Sequence, residues 1–331
     1  MKAAGGMSRR SALVSGVSGA AALLAVGVPL GFALEDWADG LSAHTWRTGS
    51  EWVNCLAFGP DSRSLYCGTD QGLQVWDVAS GRVAADSPTS APVHALAASA
   101  DGRLLVVAQD ELEVWRSGTR TPLETLLGFG TGYAVAVAVD AGGALVAAGC
   151  DDAVVRLWPV GGTRTPRLLR GHTGSVSGVA FSADGTLLAS GSDDGTVKLW
   201  SMPSGVLLRT LGAGGKVAGV SFPARGASLA AGAISSRGDG RARIWDVSTG
   251  AVAADLTGGG DGLGLVALNP DGTLLASSGG GDRLDVWDVA RARVARSGSL
   301  QDSVSGIAFS PDGRVLAVGL TQGTINVYRS F

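Results

Sequence analysis

The sequence predicts an all-β fold built from seven copies of one unit of short antiparallel strands. Glycine is abundant, with 52 among 331 residues, against roughly 7% in average proteins, and tight turns between short strands favour glycine. A pattern of apolar strand, Pro-Asp-Gly-like turn and second apolar strand recurs seven times. With 45% hydrophobic and 17% charged residues, the chain can bury a large core, which excludes a disordered protein.

Two independent anchors define the repeat, whose period is about 42 residues. The aromatic residues that close the units are Trp76, Trp115, Trp158, Trp200, Trp245, Trp287 and Tyr328. The residues that precede the first turn are Phe58, Ala98, Val139, Phe181, Phe222, Leu268 and Phe309. Polar and apolar residues alternate in segments such as 196–200, which indicates strands. One unit cannot bury both faces of its own sheet, so neighbouring units must stack.

The third strands of the units resemble those of the WD-repeat family. They read LEVW at 112–115, VKLWS at 197–201, RIWDV at 243–247 and LDVWDV at 284–289, and Gly171-His172 precedes Trp200. The resemblance spans about residues 44–331. It implies a seven-bladed β-propeller with four antiparallel strands per blade.

The end of the chain predicts how such a ring closes. The sequence ends within Gly323–Tyr328, which we expect to be the third strand of the last blade. That blade then lacks an outer strand, and Leu41–Arg47 precedes the first repeat and is free to supply it. Pairing of the two would remove an exposed sheet edge.

The resemblance further implies a His–Ser–Asp–Trp hydrogen-bond network inside a blade. One blade matches it in full, with His172, Ser190, Asp194 and Trp200. A Ser/His/Asp set is also found in hydrolases, but here the spacing reproduces the structural network and no nucleophile-elbow motif is present. We therefore predict no catalytic residues and no enzyme.

No cofactor or metal site is predicted. Three histidines and the absence of a Cys-x-x-Cys motif argue against zinc. The glycine runs at 258–260 and 279–281 lack the Lys-Ser/Thr of a phosphate-binding loop. The acidic pairs at 151–152 and 193–194 are interpreted as turn residues, with a weak calcium site as the alternative.

Cys55 and Cys67 fall on neighbouring strands of the first hairpin and could lie opposite each other. Outside the cytoplasm such a pair could form a disulfide. Directly opposed strand positions strain that bond, so reduced, buried thiols are the favoured interpretation. Cys150 has no evident partner.

Residues 1–34 are predicted to be an export signal or a transmembrane anchor, followed by a linker at 35–40 and the repeats at 41–331. Ala12–Leu34 carries no charge and follows a basic segment. A cleaved signal, a retained anchor, and a mis-assigned start or fusion linker are three open interpretations. The first two place the repeats outside the cytoplasm, either secreted or membrane-anchored.

The segment Ser8-Arg9-Arg10-Ser11 resembles a twin-arginine export signal, although Ala12 stands where those signals carry a bulky residue. Arginine accounts for 23 of the 26 basic residues. With abundant alanine and glycine, this bias is typical of a GC-rich bacterial genome.

The leading functional hypothesis is a protein-interaction scaffold. The net charge is −3 without a basic stripe, which argues against a nucleic-acid partner. The resemblance places partner contacts on the face formed by the turns into each first strand and between each second and third strand. The residues singled out there for a protein or peptide partner are Trp52, Asp70, Tyr133, Asp151, Asp193 and Asp282.

Three alternatives stay open at this point. Trp52 and Tyr133 could instead pack between blades. The protein could be the sensor portion of a signalling system, although no kinase motif is present. It could also be an enzyme or small-ligand binder that uses the central channel, against which the first strands, rich in Ala, Val, Gly and Ser, argue.

Overall fold

The computed structural model describes residues 43–119, 121–129, 132–261, 264–279 and 282–329, and within these ranges the chain forms strands and turns without a helix. In chain order the strands are β1 (His44–Arg47), β2 (Val53–Phe58), β3 (Ser64–Thr69), β4 (Gly72–Asp77), β5 (Arg82–Pro88), β6 (Ala95–Ala98), β7 (Leu104–Ala108), β8 (Leu112–Arg116), β9 (Pro122–Leu126), β10 (Ala134–Val139), β11 (Leu145–Cys150), β12 (Val155–Pro159), β13 (Arg167–Leu169) and β14 (Val176–Phe181). They continue with β15 (Leu187–Ser192), β16 (Thr196–Ser201), β17 (Val206–Gly212), β18 (Lys216–Ser221), β19 (Ser228–Ile234), β20 (Asp239–Asp246), β21 (Val252–Asp261), β22 (Val266–Leu268), β23 (Leu274–Gly279), β24 (Arg283–Asp288), β25 (Arg293–Ser299), β26 (Val304–Phe309), β27 (Val315–Leu320) and β28 (Thr324–Arg329).

These strands form seven four-stranded antiparallel sheets, one per repeat. Blades 1 to 6 consist of consecutive strands, from β2–β5 for blade 1 to β22–β25 for blade 6, and blade 7 has the order β26-β27-β28-β1. The first strand of each blade contacts the first strands of both neighbouring blades, so these seven inner strands form a closed ring. The predicted seven-bladed propeller is confirmed.

The N-terminal strand closes the ring as predicted. β1 pairs with β28 in antiparallel register, with Thr45 opposite Asn326 and Trp46 opposite Ile325. Thr48 then bonds to the Gly323 carbonyl through its N–H (3.0 Å) and its Oγ1 (2.8 Å). The first and last strands of the described chain thus belong to one sheet, and β1 covers the edge of β28 that would otherwise be unpaired.

Interfaces between blades form the core, and glycine makes their close approach possible. Five of the seven second strands carry glycine at the same position, where a Cβ at Gly149 would lie 2.7 Å from Val176 Cγ1 and one at Gly319 would lie 2.6 Å from Val53 Cγ1. Real Cβ atoms do not approach carbon this closely, so a larger residue would push the next blade away. This packing explains part of the glycine excess.

A β-bulge recurs near the start of the inner strands. The register shifts by one residue in five of them, and the bulged residues are Asn54, Val135, Ser177, Ala218 and Ser305. In β2 and β26 the bulged residue is half-buried while every other residue is buried. A bulge redirects one side chain out of the regular alternation. In β2, β14 and β26 the bulged residue, Asn54, Ser177 or Ser305, is therefore the accessible one on an otherwise buried strand.

The pairing register of β2 and β3 excludes a disulfide between Cys55 and Cys67. The first hairpin pairs Phe58 with Leu65, which places Cys55 opposite Gly68 and Cys67 opposite Leu56. Cys55 packs in the core between blades 1 and 2, whereas Cys67 packs in the core between blades 7 and 1. All three cysteines of the chain are free and buried, as the favoured interpretation expected.

The predicted export signal or anchor at 1–34, the linker at 35–40 and residues 41–42 lie outside the described part of the chain. Within the described ranges, no helix is long and apolar enough to span a membrane.

Candidate functional site: the upper face of the ring

The residues singled out for partner binding share one face of the propeller. Trp52 and Tyr133 directly precede the inner strands β2 and β10. The predicted acidic residues lie in the turns between second and third strands, and they are Asp70, Asp151, Asp193 and Asp282. Because neighbouring inner strands run in the same direction around the ring, with Gly178 against Gly219 in adjacent blades, all of these turns open on the same face. We call it the upper face.

Two aromatic residues on the upper face are bonded in the same way, each through its backbone N–H to a carboxylate. The Asp70 carboxylate accepts a hydrogen bond from the Trp52 N–H at 3.1 Å, and Asp151 accepts one from the Tyr133 N–H at 2.9 Å. Both rings project outward, with 51% of Trp52 and 55% of Tyr133 exposed. The alternative in which they pack between blades is therefore wrong. In each pair the hydrogen bond holds the backbone of the aromatic residue, whose exposed side chain stands next to it.

The other two acidic residues accept hydrogen bonds from serines of their own blades, and Asp193 also lies near a lysine of the next blade. Asp193 accepts from Ser177 Oγ at 3.2 Å and lies 3.5 Å from Lys216 Nζ of blade 5. Asp282 accepts from Ser299 Oγ at 3.1 Å. The structure therefore places all six predicted residues on the upper face, distributed over blades 1, 3, 4 and 6.

The structure brings together the four side chains expected to form a network in blade 4. Asp194 Oδ2 lies 2.9 Å from His172 Nδ1, and Ser190 Oγ lies 2.8 Å from His172 Nε2. Trp200 donates Nε1–H to Ser190 Oγ at 2.8 Å. One chain of hydrogen bonds thus runs from the turn at Asp194 to the closing tryptophan, across three elements of the blade.

Burial and hydrogen bonding set the protonation of this network. Burial lowers the pKa of His172, and the hydrogen bond to Asp194 opposes that shift only in part. At Asp194, burial acts to raise the pKa, but hydrogen bonds from Thr196, the Thr173 N–H and His172 outweigh it and hold the pKa at about 2. At neutral pH a neutral imidazole therefore donates Nδ1–H to an ionised carboxylate, and its Nε2 accepts from the Ser190 hydroxyl.

This arrangement satisfies the polar side chains that are buried inside blade 4. Ser190 is fully buried within the blade, so its hydroxyl cannot reach a substrate in solvent. Its oxygen already accepts from Trp200 while its proton goes to His172. Among the described residues there is also no group of three or more His, Cys, Asp or Glu side chains that could hold a metal ion.

In other blades the closing tryptophan donates its hydrogen bond to different residues, which the sequence analysis did not predict. The residue two positions before each closing aromatic is polar in all seven blades: Gln74, Glu113, Arg156, Lys198, Arg243, Asp285 and Asn326. Trp76 donates to Gln74 Oε1 at 3.2 Å, and Trp115 donates to Glu113 Oε2 at 2.8 Å. This repeated polar position is the sequence feature from which these hydrogen bonds could have been predicted.

In blade 3 an arginine, Arg156, stands in for the histidine of the blade 4 network. Arg156 forms two hydrogen bonds to the Asp152 carboxylate, at 2.8 and 2.7 Å, and two more to the carbonyls of Gly128 and Phe129. Its guanidinium lies 5.7 Å from the centre of the Phe129 ring. Asp152 stands six residues before Trp158, as Asp194 does before Trp200, so arginine takes the place of histidine in this blade.

Comparison with known families agrees with this geometry. The sequence pattern of the family described as "WD domain, G-beta repeat" matches residues 40–77, 120–159, 163–201, 205–246 and 294–329, more than half of the chain. The chain belongs to the WD40 repeat family. All five matched WD40 segments begin in or a few residues before the outer strand of one blade and end in the third strand of the next. A WD40 sequence repeat thus overlaps two blades, which is why the first strand of the described residues, β1, completes the last blade.

Curated relatives share short parts of the WD40 region. The chain is 38% identical over 60 residues to "Eukaryotic translation initiation factor 3 subunit I" of Phaeosphaeria nodorum, covering 18% of each chain. It is 25% identical over 89 residues to "Protein groucho" of Drosophila melanogaster, covering 27% of this chain and 12% of that one. It is 29% identical over 92 residues to "Telomerase protein component 1" of Mus musculus, covering 28% and 4%. The matches span less than a fifth of each relative's length.

Proposed function

We propose that this WD40 protein is a non-enzymatic interaction scaffold whose upper face binds a protein or peptide partner. The observation that carries the proposal is the pair of exposed aromatic residues, Trp52 and Tyr133, whose backbone N–H groups each bond to a carboxylate on the upper face. Tryptophan and tyrosine side chains bury a large area on binding, and because they have only two rotatable bonds the entropic cost of ordering them is low. A closed ring keeps such anchors in place.

The relatives support a role within an assembly. Two of them are named as a subunit and as a component, which describes parts of larger complexes. WD40 propellers mostly serve as rigid platforms for protein partners. The buried position of Ser190 in the blade 4 network supports a scaffold over a hydrolase.

Capture from a lysate of the source cells tests the proposal. The wild-type full chain and the double variant Trp52→Ala/Tyr133→Ala serve as baits. A matched control is Val206→Ser/Leu208→Ser, which removes two equally exposed apolar side chains from an outer strand. We expect a partner that is retained by wild type and control and lost from the double variant. Identical sets of proteins on all three baits would overturn the proposal.

We also propose that the propeller acts outside the cytoplasm, exported or tethered through Ala12–Leu34. The uncharged segment behind Lys2, Arg9 and Arg10 supports this. Mass spectrometry of the protein from fractionated cells tests it. An intact 1–34 segment in the membrane fraction indicates an anchor, and its removal from an exported protein indicates a cleaved signal. An intact protein in the cytoplasmic fraction contradicts both.

A further inference from the structure

We infer that the outer rim of blades 3 and 4 binds the surface of a membrane that contains anionic lipids. Its apolar part consists of exposed residues on the outer strands β13 and β17, namely Leu168, Val206, Leu207 and Leu208. Together with the arginines around them, we call this surface the blade 3–4 rim. It lies on the side of the ring, apart from the upper face, so the inference goes beyond the scaffold function and does not depend on it.

Three consecutive residues of β17 expose apolar side chains. The exposed fraction is 56% for Val206, 41% for Leu207 and 52% for Leu208. A regular strand points successive side chains in opposite directions, but a bulge at Leu208 interrupts the pairing of β17 with β16. No further strand of the described chain pairs with the outer edge of β17. Three exposed apolar residues in a row indicate a binding surface rather than ordinary solvent-facing positions.

The fold does not require these side chains, because other blades carry smaller or polar residues at the same positions. The bulged residue of the outer strand is alanine in blades 1, 5 and 6, namely Ala84, Ala253 and Ala295. Blade 4 has Leu208 there, and blade 2 has another exposed leucine, Leu123. The position of Val206 is occupied in blades 1 and 6 by arginine, opposite an aspartate of the third strand. The apolar residues of blade 4 therefore point to a role outside the fold.

Contacts between outer elements join blades 3 and 4 into one surface. Arg167 Nη1 on β13 donates to the carbonyls of Pro203 and Ser204, at 2.7 and 2.8 Å, in the turn before β17. Leu168 directly follows this arginine, and Val206 begins the strand after this turn. The exposed apolar residues of the two blades thus stand side by side along the rim.

Positive charge accompanies the apolar residues of the rim. The outer segments of blades 3 and 4, residues 160–170 and 203–212, contain no Asp or Glu and four exposed arginines, which are Arg164, Arg167, Arg170 and Arg209. Glu124 of blade 2 and Asp246 of blade 5 adjoin the rim on its two sides, and arginine outnumbers them. The outer segment of blade 6, residues 289–300, is basic as well, but no large apolar side chain is exposed there. Basic and exposed apolar residues therefore coincide on blades 3 and 4.

An anionic membrane complements this surface better than a protein strand or a second copy of the chain. The bulge at Leu208 interrupts the regular edge that an added strand would need. A second copy that used the same surface would bring the arginines of both chains together, which is unfavourable. Anionic headgroups attract arginine, while the boundary of the acyl region takes up apolar side chains.

A fluorophore on the full chain tests contact between the rim and lipid. Leu207→Cys and, as the control, Val83→Cys are labelled with the environment-sensitive dye NBD, since all three native cysteines are buried. The two positions match: each pairs with the closing tryptophan of its blade, and Leu207 is 41% and Val83 42% exposed. With vesicles of phosphatidylglycerol and phosphatidylcholine, we expect a blue shift and quenching by brominated acyl chains at position 207 and neither at position 83.

The comparison of the two positions separates the rim from any membrane anchor. An anchor at Ala12–Leu34 would bring vesicles to both labelled proteins equally, so only the difference between positions 207 and 83 reports the rim. Equal responses at the two positions, or none at 207, would overturn the inference. An equal response to phosphatidylcholine alone would overturn the assignment to anionic lipid. A blue shift that needs no vesicles and grows with protein concentration would indicate a second copy and would also overturn it.

Two double variants of the labelled protein locate the contact. Val206→Ala/Leu208→Ala gives blade 4 the small residues of blade 5, so the melting temperature should be unchanged while the rim binds lipid about tenfold or more weakly. Arg164→Gln/Arg170→Gln should also weaken binding about tenfold or more, since each arginine near an anionic surface contributes about 1 kcal/mol. Unchanged lipid contact at position 207 in both variants would contradict the assignment.

This inference and the scaffold proposal can fail separately. If Trp52→Ala/Tyr133→Ala loses a captured partner while position 207 does not contact lipid, the rim inference fails and the scaffold proposal stands. If position 207 contacts lipid and no partner is captured, the reverse holds.

Discussion

Trp46, on the first strand of the described chain, stacks on Trp76 of blade 1, with ring centroids 5.4 Å apart and ring planes 9° from parallel. Trp46 lies on the outer strand of blade 7, so the stack joins the two blades between which the ring closes. Arg329 Nη2 donates to the Val78 carbonyl at 2.5 Å across the same junction. The closure therefore depends on a few identifiable side chains.

Trp46→Ala should reduce the free energy of unfolding by about 3–5 kcal/mol, the usual range for removing a buried tryptophan. Only 8% of Trp46 is exposed, against 51% of Trp52. Trp52→Ala is therefore the matched control and should change stability by about 0.5 kcal/mol or less. Urea unfolding measures both. Equal effects of the two substitutions would show that Trp46 does not secure the ring.

Ser190→Ala should destabilise the protein by about 2–4 kcal/mol, because it leaves His172 Nε2 and Trp200 Nε1 buried without a partner, at about 1–3 kcal/mol each. Ser277→Ala in blade 6 is the control. Ser277 is equally buried, and its Oγ accepts only from Trp287 Nε1, at 2.8 Å. Its loss should cost about half as much. A larger effect at Ser277 would contradict the role assigned to the blade 4 network.

Stability should fall as the pH drops below about 6.5. Burial lowers the pKa of both His94 and His172 from the ordinary value of 6.5. In this window the unfolded chain binds protons that the folded chain excludes, and acid therefore favours unfolding. The lowered pKa of Asp194 acts only below its ordinary value of 3.8. The urea midpoint should be lower at pH 5.5 than at pH 7.5, and His94→Asn should reduce that difference. Equal midpoints in the wild type would contradict it.

The three cysteines should resist modification in the folded protein. All are buried, and burial raises the pKa of the Cys55 and Cys67 thiols well above the usual range and that of Cys150 to about 12. A thiol that is neither ionised nor accessible reacts slowly. A colorimetric thiol assay without reductant should detect none in the native protein and all three after denaturation. A single thiol after denaturation would indicate a disulfide.

Much of the fold could be predicted because each repeat carries its own strand and turn signals. The missing outer strand of the last unit even indicated that Leu41–Arg47 closes the ring, and β1 at His44–Arg47 does so. The pairing of Cys55 was not predictable in this way. Its neighbour on β3 depends on where the turn sets the register and on a bulge at Asn54, and neither leaves a clear mark in the sequence.

Of the candidate site, the part that follows a known motif, the network in blade 4, could be predicted. His172 and its partners follow a recognisable spacing, so their contacts could be anticipated. The pair Arg156–Asp152 could not, because arginine there is one of several polar residues that can satisfy a buried blade. Exposure of Trp52 depends on how neighbouring blades pack, which pattern alone does not specify.

Photo-crosslinking in the source cells tests most directly whether the upper face of the ring binds a partner. Benzoylphenylalanine replaces Glu51, beside Trp52, in one full-length protein, and Ser248, in a turn at the opposite face, in another; both positions are exposed. The proposed scaffold predicts a crosslinked protein from position 51 that is lost on Trp52→Ala/Tyr133→Ala, and none from position 248. A crosslinked protein from position 248 alone would contradict it.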